Sequence, residues 1–204
     1  MRSALIAQRS ASVSRFLKGS IMTWWLVTWS TYGSWLPGDP RGFQTWRGQE
    51  YVAPPKRYAK QGEETYDKSQ YAGRHQEAKS AMTGDVVHLT SAQRECVLKA
   101  VVDEIAKLSL VPAALSVSGE HCHLLSKFGA LKIRPTIGVL KGEATKALRE
   151  AGLLSERIWS RECHPKSKRE GREFAIALRY VRNHIKEDAA VYIWPAFESI
   201  FEKT

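Results

Sequence analysis

Cysteine is scarce in this chain. Cys96, Cys122 and Cys163 are its only three, an odd set without CxxC spacing that fits neither a disulfide framework nor a zinc ribbon and points to a reducing cytoplasm. Long apolar runs are missing as well. The nearest, Ile21 to Trp29, is broken by Thr23 and Thr28 and falls short of the roughly 20 residues that span a bilayer, so a soluble protein without a membrane partner is expected. Acidic side chains are outnumbered, 21 against 31 Lys and Arg, for a net charge of +10 and a pI near 9.6. Such an excess attracts polyanions through counterion release, without separating DNA from RNA or a membrane surface. Internal repeats and low-complexity tracts are absent too, and 204 residues suffice for one ordinary core without requiring two domains.

Acid is also lacking in residues 1–20, which carry Arg2, Arg9, Arg15 and Lys18 among several serines. That is the composition of an organellar transit peptide, but patterned sequence begins directly after Met22, which favours an upstream start codon. Residues 1–21 therefore read as an extension, 22–190 as the domain and 191–204 as a C-terminal tail.

Within the domain, Trp24 to Ser30 is rich in aromatic and β-branched residues and ends at Gly33, Pro37, Gly38 and Pro40, which predicts a first buried strand over 23–30. From about 37 to 88 the apolar period lapses, and Pro54, Pro55, four tyrosines and scattered basic residues mark an insertion with a short helix near 63–80. Its basic and aromatic side chains, with Trp35 and Trp46 as stacking candidates, suit a nucleic-acid path as well as a solvated loop. Thr90 or Ser91 can cap a helix to about Ser109 with Val97, Val101, Ile105 and Leu108 facing a sheet. Residues 112–118 and 121–128 read as a hairpin, 133–150 as a helix ended by Gly152, 158–160 as a short strand, 163–172 as a basic connection, and 173–187 as a last helix with Phe174, Leu178, Val181 and Ile185 inward. This order predicts an α+β fold, an antiparallel sheet with helices on one face, close to the split βαβ arrangement.

The chemistry concentrates in two short stretches. In a strand, His121 and His123 project from one face while Cys122 turns to the other. In a helix, Tyr180 and His184 at i,i+4 share a face. Together they could enclose one divalent cation and leave a phenol to attack a substrate held there. A phosphodiester repels nucleophiles, and a cation on its non-bridging oxygen offsets that charge. A phenol of pKa about 10 needs a base, a metal or nearby positive charge, for which Lys141, Arg179 and Arg182 are candidates. HxH alone is a weak signal. The competing reading makes the two histidines an ordinary hydrogen-bonded strand-edge pair, with Tyr180 in the core. Tyr71 and His75 repeat the same spacing, but Gly73 weakens their helix, and Cys163-His164 lacks a second ligand pair for zinc.

These residues, with Thr31-Tyr32-Gly33-Ser34-Trp35-Leu36-Pro37-Gly38-Asp39, Gly119-Glu120-His121-Cys122-His123-Leu124-Leu125 and Arg179-Tyr180-Val181-Arg182-Asn183-His184, resemble the HUH single-tyrosine transposases of insertion sequences, and especially their REP-associated tyrosine transposase branch. The resemblance covers roughly residues 24–190. It implies a ferredoxin-like nuclease fold, single-stranded DNA with hairpins as partner, a 5′-phosphotyrosine intermediate on Tyr180, a 3′-hydroxyl product, and Mg²⁺ or Mn²⁺ on His121, His123 and His184. Lys141, Arg179 and Arg182 become DNA contacts, the assembly a monomer or homodimer, and the setting a prokaryotic cytoplasm and its nucleoid. Cys122 departs from the bulkier middle residue of the motif, a tolerable change for a small hydrophobe. The branch often has Asn-Pro where this chain has His184-Ile185, which leaves Asn183 as a second candidate ligand. Three imidazoles also suit Mn²⁺ or another transition ion better than Mg²⁺. A replication or mobilisation nickase, a non-catalytic nucleic-acid-binding regulator and a three-His zinc hydrolase are the alternatives.

Overall fold

The structure is a computed structural model that describes residues 23–44, 51–54, 66–153 and 157–200. The N-terminal extension, Trp46 and Tyr58 lie outside the described residues. In chain order the elements are β1 (Trp24–Ser30), β2 (Phe43–Gln44), β3 (Tyr51–Val52), α1 (Lys68–Ser80), α2 (Ser91–Ile105), β4 (Val111–Val117), β5 (His121–Lys127), α3 (Ile133–Glu150), β6 (His164–Lys168), α4 (Arg172–Asn183), a 3-10 turn (His184–Glu187), β7 (Ala190–Ile193) and α5 (Pro195–Glu198).

Five strands form one antiparallel sheet in the order β6-β1-β5-β4-β7. The pair β1 and β4 run parallel with β5 between them, and β5 and β6 run parallel with β1 between them. That is the split βαβ unit used twice, and the fold is the expected α+β, ferredoxin-like sheet with helices packed on it. Thr90 supplies the capping box that starts α2, with Gln93 returning the bond, and Gly152, at φ 68°, takes the left-handed position after α3.

The helices cover both faces of the sheet, not one. On the first face Val97, Val101 and Ile105 of α2 and Ile137, Leu140, Ala144 and Leu148 of α3 meet Val27, Trp29, Leu115, Val117, Cys122 and Leu124. On the second, Ala177, Leu178 and Val181 of α4 meet Trp24, Leu26, Ala113, Ala114 and Leu125. Strand alternation places His121 and His123 on the α4 side and sends Cys122 into the two-helix core.

Several expectations are corrected. Residues 164–168, expected in a connection, form edge strand β6 beside β1; Pro165 and two lysines mask its strand character, yet an edge position accepts both. Residues 191–193, expected in a tail, join Ala190 in pairing with β4. Ile158 and Trp159 are buried, but make only a bridge from Trp159 to Thr31. Ile185, expected inward, is 62% exposed while His184 is buried, because the tightening to three residues per turn rotates the chain after Asn183. In the insertion, Phe43, Val52 and Tyr71 build a small core of their own, and Tyr71 packs edge-on to Phe43 at 5.0 Å. That occupies the Tyr71 of the competing Tyr71-His75 pair in packing.

Candidate metal centre

Two elements build the site. β5 presents His121 and His123 from its first residues, and α4 lies across the same face with Tyr180 in its penultimate turn. Leu178 and Val181, buried against the sheet, fix the rotation of α4 so that Tyr180 turns toward β5. The 3-10 turn then carries His184 in behind it. One ligand atom from each of His121, His123 and His184 lies within 4.8 Å of the others. The rings of His123 and His184 are 4.6 Å apart between centroids, and Tyr180 stands edge-on to both, at 5.0 and 4.7 Å.

Hydrogen bonds orient the imidazoles. His184 Nδ1 lies 2.9 Å from the Tyr180 carbonyl; a carbonyl only accepts, so Nδ1 carries the proton and Nε2 keeps its lone pair. His123 Nδ1 is 2.7 Å from Thr28 Oγ1, and its Nε2 is 3.3 Å from Tyr180 Oη. The Thr28 hydroxyl can donate or accept, so this bond fixes the ring's orientation, with Nε2 turned to the site. His121 Nδ1 is buried without a hydrogen-bond partner among the described residues. Leaving a buried polar atom unpaired costs about 1–3 kcal/mol, a cost that a bound cation would relieve.

Electrostatics agree with that fit. Burial, reinforced by the neighbouring His184, lowers the pKa of His121. Burial, then His121 and His184, holds His123 well below the ordinary histidine value. Neutral imidazoles are the form that binds metal. Burial, then the carboxylate of Glu187 and Tyr51, pushes the Tyr180 phenol up. Deprotonating a phenol of ordinary pKa at pH 7 already costs about 4 kcal/mol, so the protein's own environment holds Tyr180 protonated.

The predicted site residues separate into two groups. His121, His123, His184 and Tyr180 come together, and Asn183, the other candidate ligand, is exposed. Arg179 and Arg182 are exposed on α4 beside the tyrosine. Lys141 is elsewhere. It sits on α3, the helix of the opposite face, and its ammonium donates to the carbonyls of Ser160 at 3.0 Å and Glu162 at 2.9 Å. There it ties α3 to the segment before β6 and supplies no charge to the phenol.

Thr28 was missed by sequence reasoning. The signal lay in the strand register, since Thr28 pairs across β1 and β5 with His123. Partners that orient a metal-binding histidine are typically worth 10–100-fold in affinity. Thr28→Val, similar in shape, is therefore expected to weaken Mn²⁺ binding by about that factor in a calorimetric titration. Unchanged affinity would show that the hydroxyl does not orient the ring.

No protein-family model matches the chain, and no curated protein matches it. Among solved structures, it is similar to a REP-associated tyrosine transposase bound to a REP hairpin, at 13% identity over 81% of this chain and 68% of that one, with a TM-score of 0.43. The likeness is distant, and the chemistry of the site stands on its own distances.

Proposed function

We propose that this protein is a metal-dependent endonuclease and strand transferase, a transposase, that acts on single-stranded, hairpin-bearing DNA through a 5′-phosphotyrosine at Tyr180. The observation that carries this reading is the convergence of three imidazoles and one phenol, from β5, α4 and the turn that follows it, with Tyr180 Oη 3.3 Å from His123 Nε2. His121, His123 and His184 would hold the cation, Mn²⁺ or Mg²⁺. Bound there, a divalent ion offsets the charge of the phosphodiester and orients it for in-line displacement.

The chain's own residues supply the rest. The Tyr180 carbonyl keeps His184 in the tautomer that leaves Nε2 to the site, and the Thr28 hydroxyl holds the His123 ring in place. The ring of Tyr180 is 46% exposed, so a polymer can reach its oxygen without opening the core. The phenol gives up its proton to water as its oxygen bonds to phosphorus, the P–O3′ bond breaks, and the 3′ oxygen takes up a proton from water and leaves as a hydroxyl. Phenolate leaves phosphate more readily than an alkoxide does, so a later hydroxyl can reverse the linkage without ATP. The excess of basic residues draws in the polyanion, and Arg179 and Arg182 flank the nucleophile for contact with its backbone.

The test is incubation with labelled single-stranded DNA from the regions flanking the gene, in Mn²⁺ or in EDTA. A denaturation-resistant protein–DNA adduct formed only with metal supports strand transfer. Cleavage without attachment would indicate a hydrolase, and binding without either would indicate a regulator.

A further inference from the structure

The segment from Thr31 to Gly42 has no part in the chemistry above, yet it is the most heavily braced loop near the site. Thr31 Oγ1 donates to the carbonyls of Val87 and Glu120, and Ser34 Oγ to those of Thr31 and Glu120. Arg41 donates from its backbone N–H and its guanidinium to Asp39, at 2.8 Å in each case. Its Nη1 reaches Glu120 Oε2 at 2.8 Å. Gly33, Gly38 and Gly42 all have positive φ. At Gly38 a Cβ would stand 2.6 Å from the Tyr71 carbonyl, so only glycine lets α1 close on the loop.

This bracing surrounds a cavity of about 360 Å³ whose lining includes Leu36, Pro40 and Val86 as apolar wall and Asp39, Arg41 and Glu120 as polar edge. His75 also lines it, and its Nδ1 is buried without a partner among the described residues. Beside the cavity, Trp35 is 41% exposed, with the Arg41 guanidinium 4.7 Å from its ring centroid. Glu120 immediately precedes the candidate ligand His121.

The charges decide what fits. A phosphate would meet the carboxylates of both Asp39 and Glu120, against an Arg41 they already neutralise and the exposed Lys79 at the edge of the lining. A flat, uncharged heterocycle meets apolar walls, a Trp-Arg stack and carboxylate acceptors. Glu120 Oε1, whose neighbour His88 Nδ1 is at 3.4 Å, has lone-pair capacity left for an N–H donor. From this geometry we infer that the cavity holds one unpaired nucleobase of the DNA strand, read through its amino edge by Glu120 and stacked at the mouth on Trp35. Guanine, adenine and cytosine offer an exocyclic amino group. Thymine flanks its one edge donor, N3–H, with two carbonyl oxygens that repel the carboxylate, and is disfavoured. The pocket thus selects one base of the bound strand, an inference that rests on the single-stranded DNA reading.

The experiment is equilibrium binding of fluorescein-labelled dC12, dA12 and dT12 to the full chain in EDTA, where no cleavage intervenes, with the Tyr180 adduct assayed in parallel in Mn²⁺. The wild-type protein is expected to bind dC12 and dA12 at least fivefold more tightly than dT12. Glu120→Gln, which can pair with either kind of edge, should erase that preference. Trp35→Ala should weaken all three by roughly tenfold, the scale of one base–aromatic stack, and Trp35→Phe should restore most of it. Equal binding of the three by the wild type, or variants that bind as the wild type does, would overturn the pocket even where the adduct still forms. A wild-type protein that binds none of them would overturn the pocket, while loss of the adduct on hairpin-bearing DNA would separately overturn the strand-transfer reading.

Discussion

Tyr180→Phe is expected to abolish the covalent protein–DNA adduct while leaving single-stranded DNA bound. The change deletes one oxygen. The ring stays where it is, edge-on to His123 and His184, and α4 keeps its grip on the sheet through Leu178 and Val181, so neither fold nor DNA affinity has reason to shift by more than about twofold. Loss of a nucleophile commonly costs several orders of magnitude, and under the proposed function the change removes the atom that would bond to phosphorus, so the adduct should fall to background. The measurement is a denaturing gel with labelled DNA in Mn²⁺, alongside a filter-binding isotherm. An adduct of wild-type yield in the Phe variant would show that another residue is attached, and peptide mapping of the linkage would identify it.

His123→Ala should be nearly as severe, for a different reason. This imidazole stands between the other two, with ring centroids 4.7 Å from His121 and 4.6 Å from His184, and it alone touches both Thr28 and Tyr180. Its loss leaves two ligands and should lower Mn²⁺ affinity by more than the roughly 10–100-fold expected for an outer partner such as Thr28. Adduct formation should fall about a hundredfold or more at fixed Mn²⁺, and EDTA should do the same to the wild type. High Mn²⁺ should restore the variant in part, which a misfolded protein would not allow. Wild-type Mn²⁺ affinity in this variant would remove His123 from the centre.

How much of this was legible in the sequence depended on periodicity. The alternation at His121-Cys122-His123 was enough to put the imidazoles on one face and the thiol on the other. The stripe from Ile137 to Leu148 gave α3 its observed bounds. Where a residue's role depended on partners distant in sequence, pattern gave no purchase. Lys141 looks like any solvent-facing lysine until the carbonyls of 160–162 are seen beneath it, and β6 hides behind Pro165 and its lysines because only pairing with β1 makes it a strand. Ile185 failed because a helical stripe presumes 3.6 residues per turn, and the chain abandons that spacing one residue earlier. The same tightening carries His184 inward, so the break in pattern coincides with a candidate ligand.

The C-terminal strand has a consequence for how the protein must be handled. β7 covers the outer rim of β4 from Ala114 to Val117, and β4 is almost wholly apolar, VPAALSV. Ending the chain at Asp188 would leave that rim as a row of unpaired amides flanked by hydrophobic side chains, an adhesive surface for any other extended chain. Such a truncation, although it spares all three imidazoles and the tyrosine, is expected to self-associate on size-exclusion chromatography and to be recovered mainly as aggregate. The last strand thus acts as a guard on solubility, and a fragment designed around the candidate site alone would precipitate before its chemistry could be measured.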